Sequence, residues 1–217
     1  MKKQTGFTLI ELAIVLVIIG LLLGGVLRGQ ELINSARVKN LTRDFQNVQV
    51  FLYSYQDRFR AVPGDDSLAN THVAGGVVAT TGGPTPNGQI GGQWDSQTQT
   101  DESYLFWQHV RLAGLAPGST QVGNAAYLPL NSNGARLGIQ SIAAGFNEIT
   151  TLTNGAYAIC SDGILGRDAL QIDTTLDDGI PNTGSVQAVP SGTAGAGATQ
   201  AAINAAPAAA YTVCMSI

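Results

Sequence analysis

Charge is scarce in this chain: 12% of its residues are charged, with 11 basic against 15 acidic. So few lysines and arginines leave no cationic footprint of the kind a nucleic-acid surface needs. Histidine is scarcer still. His72 and His109 stand in unlike surroundings, and the sequence shows no Ser/His/Asp set, metal-ligand cluster or phosphate loop. That argues against an enzyme, and His109 reads as a packing or surface residue. The two cysteines, Cys160 and Cys214, lie far from the first apolar run. An even pair in an exported domain reads as one disulfide, two buried free thiols being the other reading. Proline is absent before Pro63, and no A-x-A cleavage site follows the first apolar run.

What the chain does have is strongly asymmetric. Residues 7–27, FTLIELAIVLVIIGLLLGGVL, are almost wholly apolar. As a helix rising about 1.5 Å per residue they cover roughly 30 Å, the hydrocarbon thickness of a bilayer. Lys2 and Lys3 precede them, which keeps the N-terminus cytoplasmic and sends the rest across. The run exceeds the ~7–15 residues of a secretory signal core. Gly20, Gly24 and Gly25 lie inside it. They permit close helix–helix approach or local melting, although transmembrane helices also tolerate glycine for no special reason.

The apolar face then continues. Leu41, Phe45, Val48, Leu52, Tyr55 and Phe59 are spaced 4, 3, 4, 3, 4, among Thr42, Arg43, Asp44, Gln46, Asn47, Gln49, Gln56 and Asp57. This is one apolar helical stripe. The spacing predicts one nearly continuous helix over 7–60, on the order of 80 Å long, ended by Val62-Pro63-Gly64.

Glu11 breaks the oily run. A carboxylate at a membrane helix's centre costs roughly 2.5–3.5 kcal/mol, less toward an end. An acid near a helix N-terminus is also favoured by the dipole. Glu11 is therefore either an interfacial acid tolerated there or a group that needs a positive partner.

Gly6-Phe7-Thr8-Leu9-Ile10-Glu11, behind the short basic stretch Met1 to Gly6, resembles the processing motif of type IV prepilins and of type II secretion pseudopilins. The resemblance implies cutting after Gly6 by an inner-membrane prepilin peptidase and methylation of the new amino terminus at Phe7. Loss of Lys2 and Lys3 would leave 9 basic against 15 acidic residues, net −6. Methylation keeps the ammonium's charge. In a filament, Glu11 of one subunit would pair with the Phe7 ammonium of a neighbour and fix axial register. A pair within one chain, one helical turn apart, is the alternative.

Beyond residue 61 the chain turns rich in Gly, Thr, Asn, Ser and Ala. Residues 62–100 read as irregular, wrapping a sheet and facing a neighbour or solvent. A second helix is expected at 101–114, capped by Asp101 and closed near Gly114. Strands are expected at 125–130, 136–142, 146–152, 156–161, 185–189 and 211–217. Four to six of them would form an antiparallel sheet on the amphipathic half of the long helix, an α+β arrangement similar to a pilin head. Cys160 is expected to end one strand and Cys214 to lie in the last. Their bridge would close a loop of about 55 residues, and positions 161–213 would match the exposed variable region of pilins. Within it, Asp168, Asp173, Asp177 and Asp178 precede a Gly turn. Of these, Asp173, Asp177 and Asp178 could hold calcium, as a C-terminal loop does in some pseudopilins. The spacing is not that of an EF-hand, and a short helix ending in a polar turn is the preferred reading, with no cofactor. Residues 191–210 read as a surface loop or an Ala-rich helix.

The expected organisation is a leader at 1–6, a transmembrane and filament-core helix at 7–27, an amphipathic helix half at 28–61 and a head at 62–217. The resemblance implies a structural subunit of a type IV pilus, major or minor, or else a pseudopilin. Its partners would be other pilins, the prepilin peptidase, an inner-membrane assembly platform and, before assembly, membrane lipid. It would sit as a single-pass inner-membrane protein with a periplasmic head and then pass into a filament. A membrane-anchored binding protein or enzyme is the remaining alternative.

Overall fold

The computed structural model describes residues 9–217, and the chain divides into two compact units after Arg37. The first helix, α1 (Leu9–Phe59), is continuous from one unit into the other. In the first unit an 18-residue stretch reaches a mean hydropathy of 2.8, with length and composition sufficient to cross a membrane. Its large apolar side chains, from Leu9 to Leu27, are exposed. The helix runs unbroken through Gly20, Gly24, Gly25 and Gly29, and a Cβ added at any of them would meet nothing within its own chain.

The second unit is an α+β head. After α1 come α2 (Ala69–His72), α3 (Glu102–Leu112), β1 (Leu137–Ser141), β2 (Tyr157–Leu165), α4 (Gly166–Leu176), β3 (Val186–Pro190), α5 (Gln200–Ala205) and β4 (Ala210–Ser216). All four strands are antiparallel, in the order β1-β2-β4-β3. The last strand therefore slots between two earlier ones. Strand alternation gives the sheet two buried faces. Ile159, Val213, Met215 and Ala188 join Leu41, Phe45, Val48, Leu52 and Tyr55 of α1 in the main core. Ala158, Cys160, Cys214 and Val189 join Trp94, Ile149 and Leu152 in a second, smaller cluster.

The α1 stripe is buried from Leu41 to Tyr55, while Phe59 stays half-buried. Burying each such side chain contributes roughly 1.5–3 kcal/mol, so this half of α1 is held by packing and not by helix propensity alone. Phe45 is fully buried. Phe45→Ala is expected to destabilise the head by about 3–5 kcal/mol, measured as a fall in the urea or thermal midpoint. A loss below about 1 kcal/mol would contradict the packing described.

Several elements differ from expectation. α1 ends at Phe59, within one residue of the expected 60, but the stop is made before Pro63: Arg60 adopts φ 57 and its N–H bonds the Gln56 carbonyl, a left-handed helix stop. Segments 125–130 and 146–152 are turns and irregular backbone, with single bridges at Leu130 and Ile149 in place of strands. Tyr127 folds back, its N–H on the Asn124 carbonyl and its hydroxyl on the Tyr104 carbonyl. Ile149 and Leu152, both buried, sit three apart and close a turn through Leu152 N–H to Ile149 O. Cys160 lies within β2, not at its end. Segment 191–210 takes the second of its two expected readings in part: it contains the Ala-rich α5, capped by the Thr199 hydroxyl accepting from Ala202 N–H and pinned by buried Ile203. Asp101 holds the N-cap position of α3, but its carboxylate accepts from Thr81 and Ser96 hydroxyls instead of the helix N–H groups.

Candidate functional site

Gly6 and Phe7, the expected processing junction, lie outside the described residues. Glu11 stands in the first turn of α1 as described, on an exposed surface between exposed Ile10 and Leu12. Beyond this acid, no Asp, Glu, Lys or Arg occurs before Arg28. An apolar surface of that length favours lipid or other helices over water.

In the head, Cys160 and Cys214 form a disulfide directly across the β2–β4 pairing, Cα to Cα 4.1 Å, both fully buried. The chain between them is not a surface excursion. It supplies the end of β2, α4, β3, α5 and the start of β4, and buries Ile164, Ile172, Val186, Ile203 and Tyr211 in the core. The expected exposed region at 161–213 is thus a structural half of the sheet.

Segment 62–100 is organised by buried acids that sequence reasoning did not single out. Asp65 accepts the Asn87 and Gly88 N–H groups, and Glu102 accepts the Gly91 N–H and the Thr85 hydroxyl. A Cβ on Gly91 would collide with the Gly82 carbonyl, so glycine is required there. Burial pushes both carboxyls above their ordinary range, only partly countered by these hydrogen bonds; Asp65 raises Glu102 further, while the hydrogen bond between the two lowers Asp65. Asp66 behaves differently. Burial pushes it up, but hydrogen bonds from His72, Tyr55 and the Leu68 N–H outweigh that and leave it lowered. His109 is fully buried: its Nδ1 accepts from Gly64 N–H at 2.9 Å, so Nε2 carries the proton and donates to Val77 O at 2.7 Å. Burial lowers its pKa and keeps it neutral, a structural tie between α3 and the loop. The only sequence signal for these acids was their occurrence in a segment otherwise poor in charge.

The raised pair has a testable sign. Asp65 and Glu102 hold protons more tightly when folded, so their contribution is complete below the ordinary carboxyl pKa of about 4. It is lost as pH rises through their raised folded values. Glu102→Gln keeps the shape and supplies a permanent donor toward Asp65. Thermal melts at pH 5 and pH 8 should show the wild type losing several degrees relative to Glu102→Gln at the higher pH. Parallel curves would remove the pair from the account.

The acids after α4 are partly brought together. Asp173, Asp177 and Asp178 each offer a carboxylate oxygen, all within 4.8 Å of one another, whereas Asp168 lies against Arg167. Asp173 lies in the last turn of α4, and Asp177 and Asp178 in the polar turn that follows it.

The model of one family, the prokaryotic N-terminal methylation motif, matches residues 1–27. No curated protein and no solved structure matches the chain. The match covers the basic stretch, the Gly6-Phe7 junction, Glu11 and the apolar run, and it points to a structural protein anchored through an N-terminal apolar helix. The chain carries the N-terminal methylation motif that is the signature of type IV pilins and pseudopilins.

Proposed function

We propose that this protein is a structural subunit of a type IV pilus, cut after Gly6, methylated at Phe7 and assembled through α1. The observation that carries the reading is the combination of that motif with an exposed apolar helix continuous with the wall of a folded head. In the inner membrane the apolar part of α1 is solvated by lipid. In the filament the same surface is solvated by the α1 helices of other subunits, with the heads outward. Neither state exposes it to water, which lowers the cost of moving from one to the other.

Glu11 supplies what an apolar surface lacks, which is register. Its pairing with a neighbour's Phe7 ammonium costs both charges their hydration. A pair in register recovers that cost, and a subunit out of register leaves two charges unmatched. The net effect is specificity of axial position more than adhesion. The glycines at 20, 24, 25 and 29 meet nothing in their own chain, which suits close approach by a neighbouring helix.

The junction's chemistry follows from residue type. Cleavage needs an extended, unhindered backbone, which glycine gives. Gly6→Leu should accumulate as an uncut precursor, longer by residues 1–6 than the mature chain and visible by mass spectrometry of the membrane fraction. Normal trimming of that variant would count against the assigned junction.

A pseudopilin of a type II secretion system shares the same motif and packing logic. Shearing native filaments from cells and identifying their subunits separates the two readings. A pilus subunit appears in the sheared surface fibres. A pseudopilin stays with the cell envelope, and its deletion blocks secretion of folded proteins.

A further inference from the structure

A cleft of about 740 Å³ in the head holds a buried cation with no acid beside it. Clefts that take small molecules run to about 300–1,000 Å³. The wall includes Arg111, Tyr104, Arg136, Gln97, Gln99 and Asn124, but no aspartate or glutamate. Arg111, on the last turn of α3, is 8% exposed. Its Nε donates to Pro117 O, and its Nη1 donates to Ser119 O and Tyr127 O. The guanidinium lies over the Tyr127 and Trp107 rings, 5.2 and 5.7 Å from their centroids. Gly118 packs against it so closely that a Cβ there would stand 2.7 Å from Nε. Carbonyls and rings fix the group, but they do not cancel its charge. Burial works against that charge, and the groups that favour it are the phenols of Tyr127 and Tyr104. Among the described residues no carboxylate pairs with Arg111, and a buried cation without an anion is costly. A guanidinium has five N–H donors. Three are used on the carbonyls, and the two on Nη2 reach no acceptor among the described residues. Tyr104, 4% exposed, adds another donor: its hydroxyl accepts from Gly123 N–H at 3.1 Å and keeps its own proton to give.

We propose that this cleft binds an acidic sugar of the uronate type, free or at the end of a saccharide, with Arg111 and Tyr104 holding its carboxylate. Charge selects a monoanion. Arg111 is the one buried cation of the wall. Arg136 is half-buried, donates to Asp95 O, and also borders a smaller cleft with Asp95, Glu148 and Asp162, so its charge is shared with those acids. A phosphate dianion would leave negative charge unmatched. A carboxylate does not, and its two oxygens suit the N–H pair on Nη2 and the Tyr104 O–H. The rest of the wall selects hydroxyls. Gln97, Gln99 and Asn124 are exposed, and their carboxamides both donate and accept, as a sugar hydroxyl does. Asn124 Oδ1 already accepts from Ala126 N–H, which leaves its amide hydrogens to donate. An acidic sugar entering carboxylate first therefore pairs the buried charge and leaves its hydroxyls among the carboxamides. The cleft is formed by the head alone, so the inference does not rest on filament assembly.

The test is calorimetric titration of the full chain, in a detergent without a sugar headgroup, at neutral pH and constant ionic strength. The probes are glucuronate, glucose, acetate and inorganic phosphate. Glucuronate should bind at least about tenfold more tightly than each of the other three. Arg111→Gln should abolish the preference for glucuronate over glucose. Because Arg111 also ties three carbonyls, two gentler variants carry the test if that one does not fold. Tyr104→Phe keeps the ring stacked on Tyr127 and should weaken glucuronate about three- to tenfold. Gln99→Ala, at an exposed position, should melt as the wild type does and weaken glucuronate while leaving acetate unchanged. No binding of glucuronate by the wild type would overturn the proposal. Acetate binding as tightly as glucuronate would overturn the assignment of a sugar, and tighter binding of phosphate would overturn the charge match. Unchanged glucuronate affinity in both Tyr104→Phe and Gln99→Ala would put the binding elsewhere and overturn the site.

Discussion

Glu11→Ala should insert into the membrane and be trimmed as efficiently as the wild type, yet fall at least about a hundredfold in filaments when it competes with wild-type subunits. The magnitude comes from the partner it abandons. An ammonium left unmatched in an apolar bundle costs about 3–5 kcal/mol, and each 1.4 kcal/mol is a factor of ten in occupancy. Insertion should not suffer, since removing an acid from residues 9–27 only makes that stretch more apolar. Glu11→Asp is the informative companion. It keeps the charge but shortens its reach by one methylene, so it should assemble better than Ala and worse than Glu. The readout is the ratio of variant to wild type in sheared filaments against the same ratio in membranes. Equal ratios for Glu11→Ala would remove the role given to the acid.

Replacing Cys160 and Cys214 together by alanine should cost the head about 4 kcal/mol, and its thermal midpoint should fall by roughly 8–16 °C. The enclosed loop is long, 54 residues of sequence separation, and the entropic restraint on the unfolded chain grows with loop length. Position adds to this. The bridge joins strands already paired in register and lies in the small cluster with Trp94, Ile149 and Leu152. Its loss would weaken the β2–β4 junction that sets β4 between two earlier strands. Reduction of the wild type should reproduce the effect once the chain is loosened by denaturant, because both sulfurs are buried. A change below about 1 kcal/mol would show that packing alone holds that face.

These expectations draw unequally on the sequence. The long helix was legible because its two halves obey simple rules, an unbroken apolar run and then a stripe at spacings of three and four. Its stop, expected at 60, falls at Phe59, but the device was read as Pro63 when it is the left-handed turn at Arg60, which no residue type announces. Four strands were readable from β-branched and aromatic runs. Segments 125–130 and 146–152 were misread because an apolar turn and a short strand have the same composition. The place of β4 between β2 and β3 was not legible at all, since strand order depends on which edges meet and not on local pattern.

The sites divide in the same way. The N-terminal motif is contiguous and could be read directly. The two cysteines could be read as a pair, but not as neighbours on adjacent strands. Asp173, Asp177 and Asp178 were visible as a cluster, whereas the burial of Asp173 depends on long-range packing. Asp65 and Glu102 were invisible as anchors because their partners lie 11 to 23 residues away along a glycine-rich segment.

Mass spectrometry of the chain's own amino terminus, taken from native surface fibres, bears most directly on the idea that α1 exchanges lipid for its sister helices. A first residue of Phe7 carrying one added methyl group, with residues 1–6 gone, is the predicted result. A chain that still begins at Met1, confined to the membrane and missing from every fibre, would contradict it.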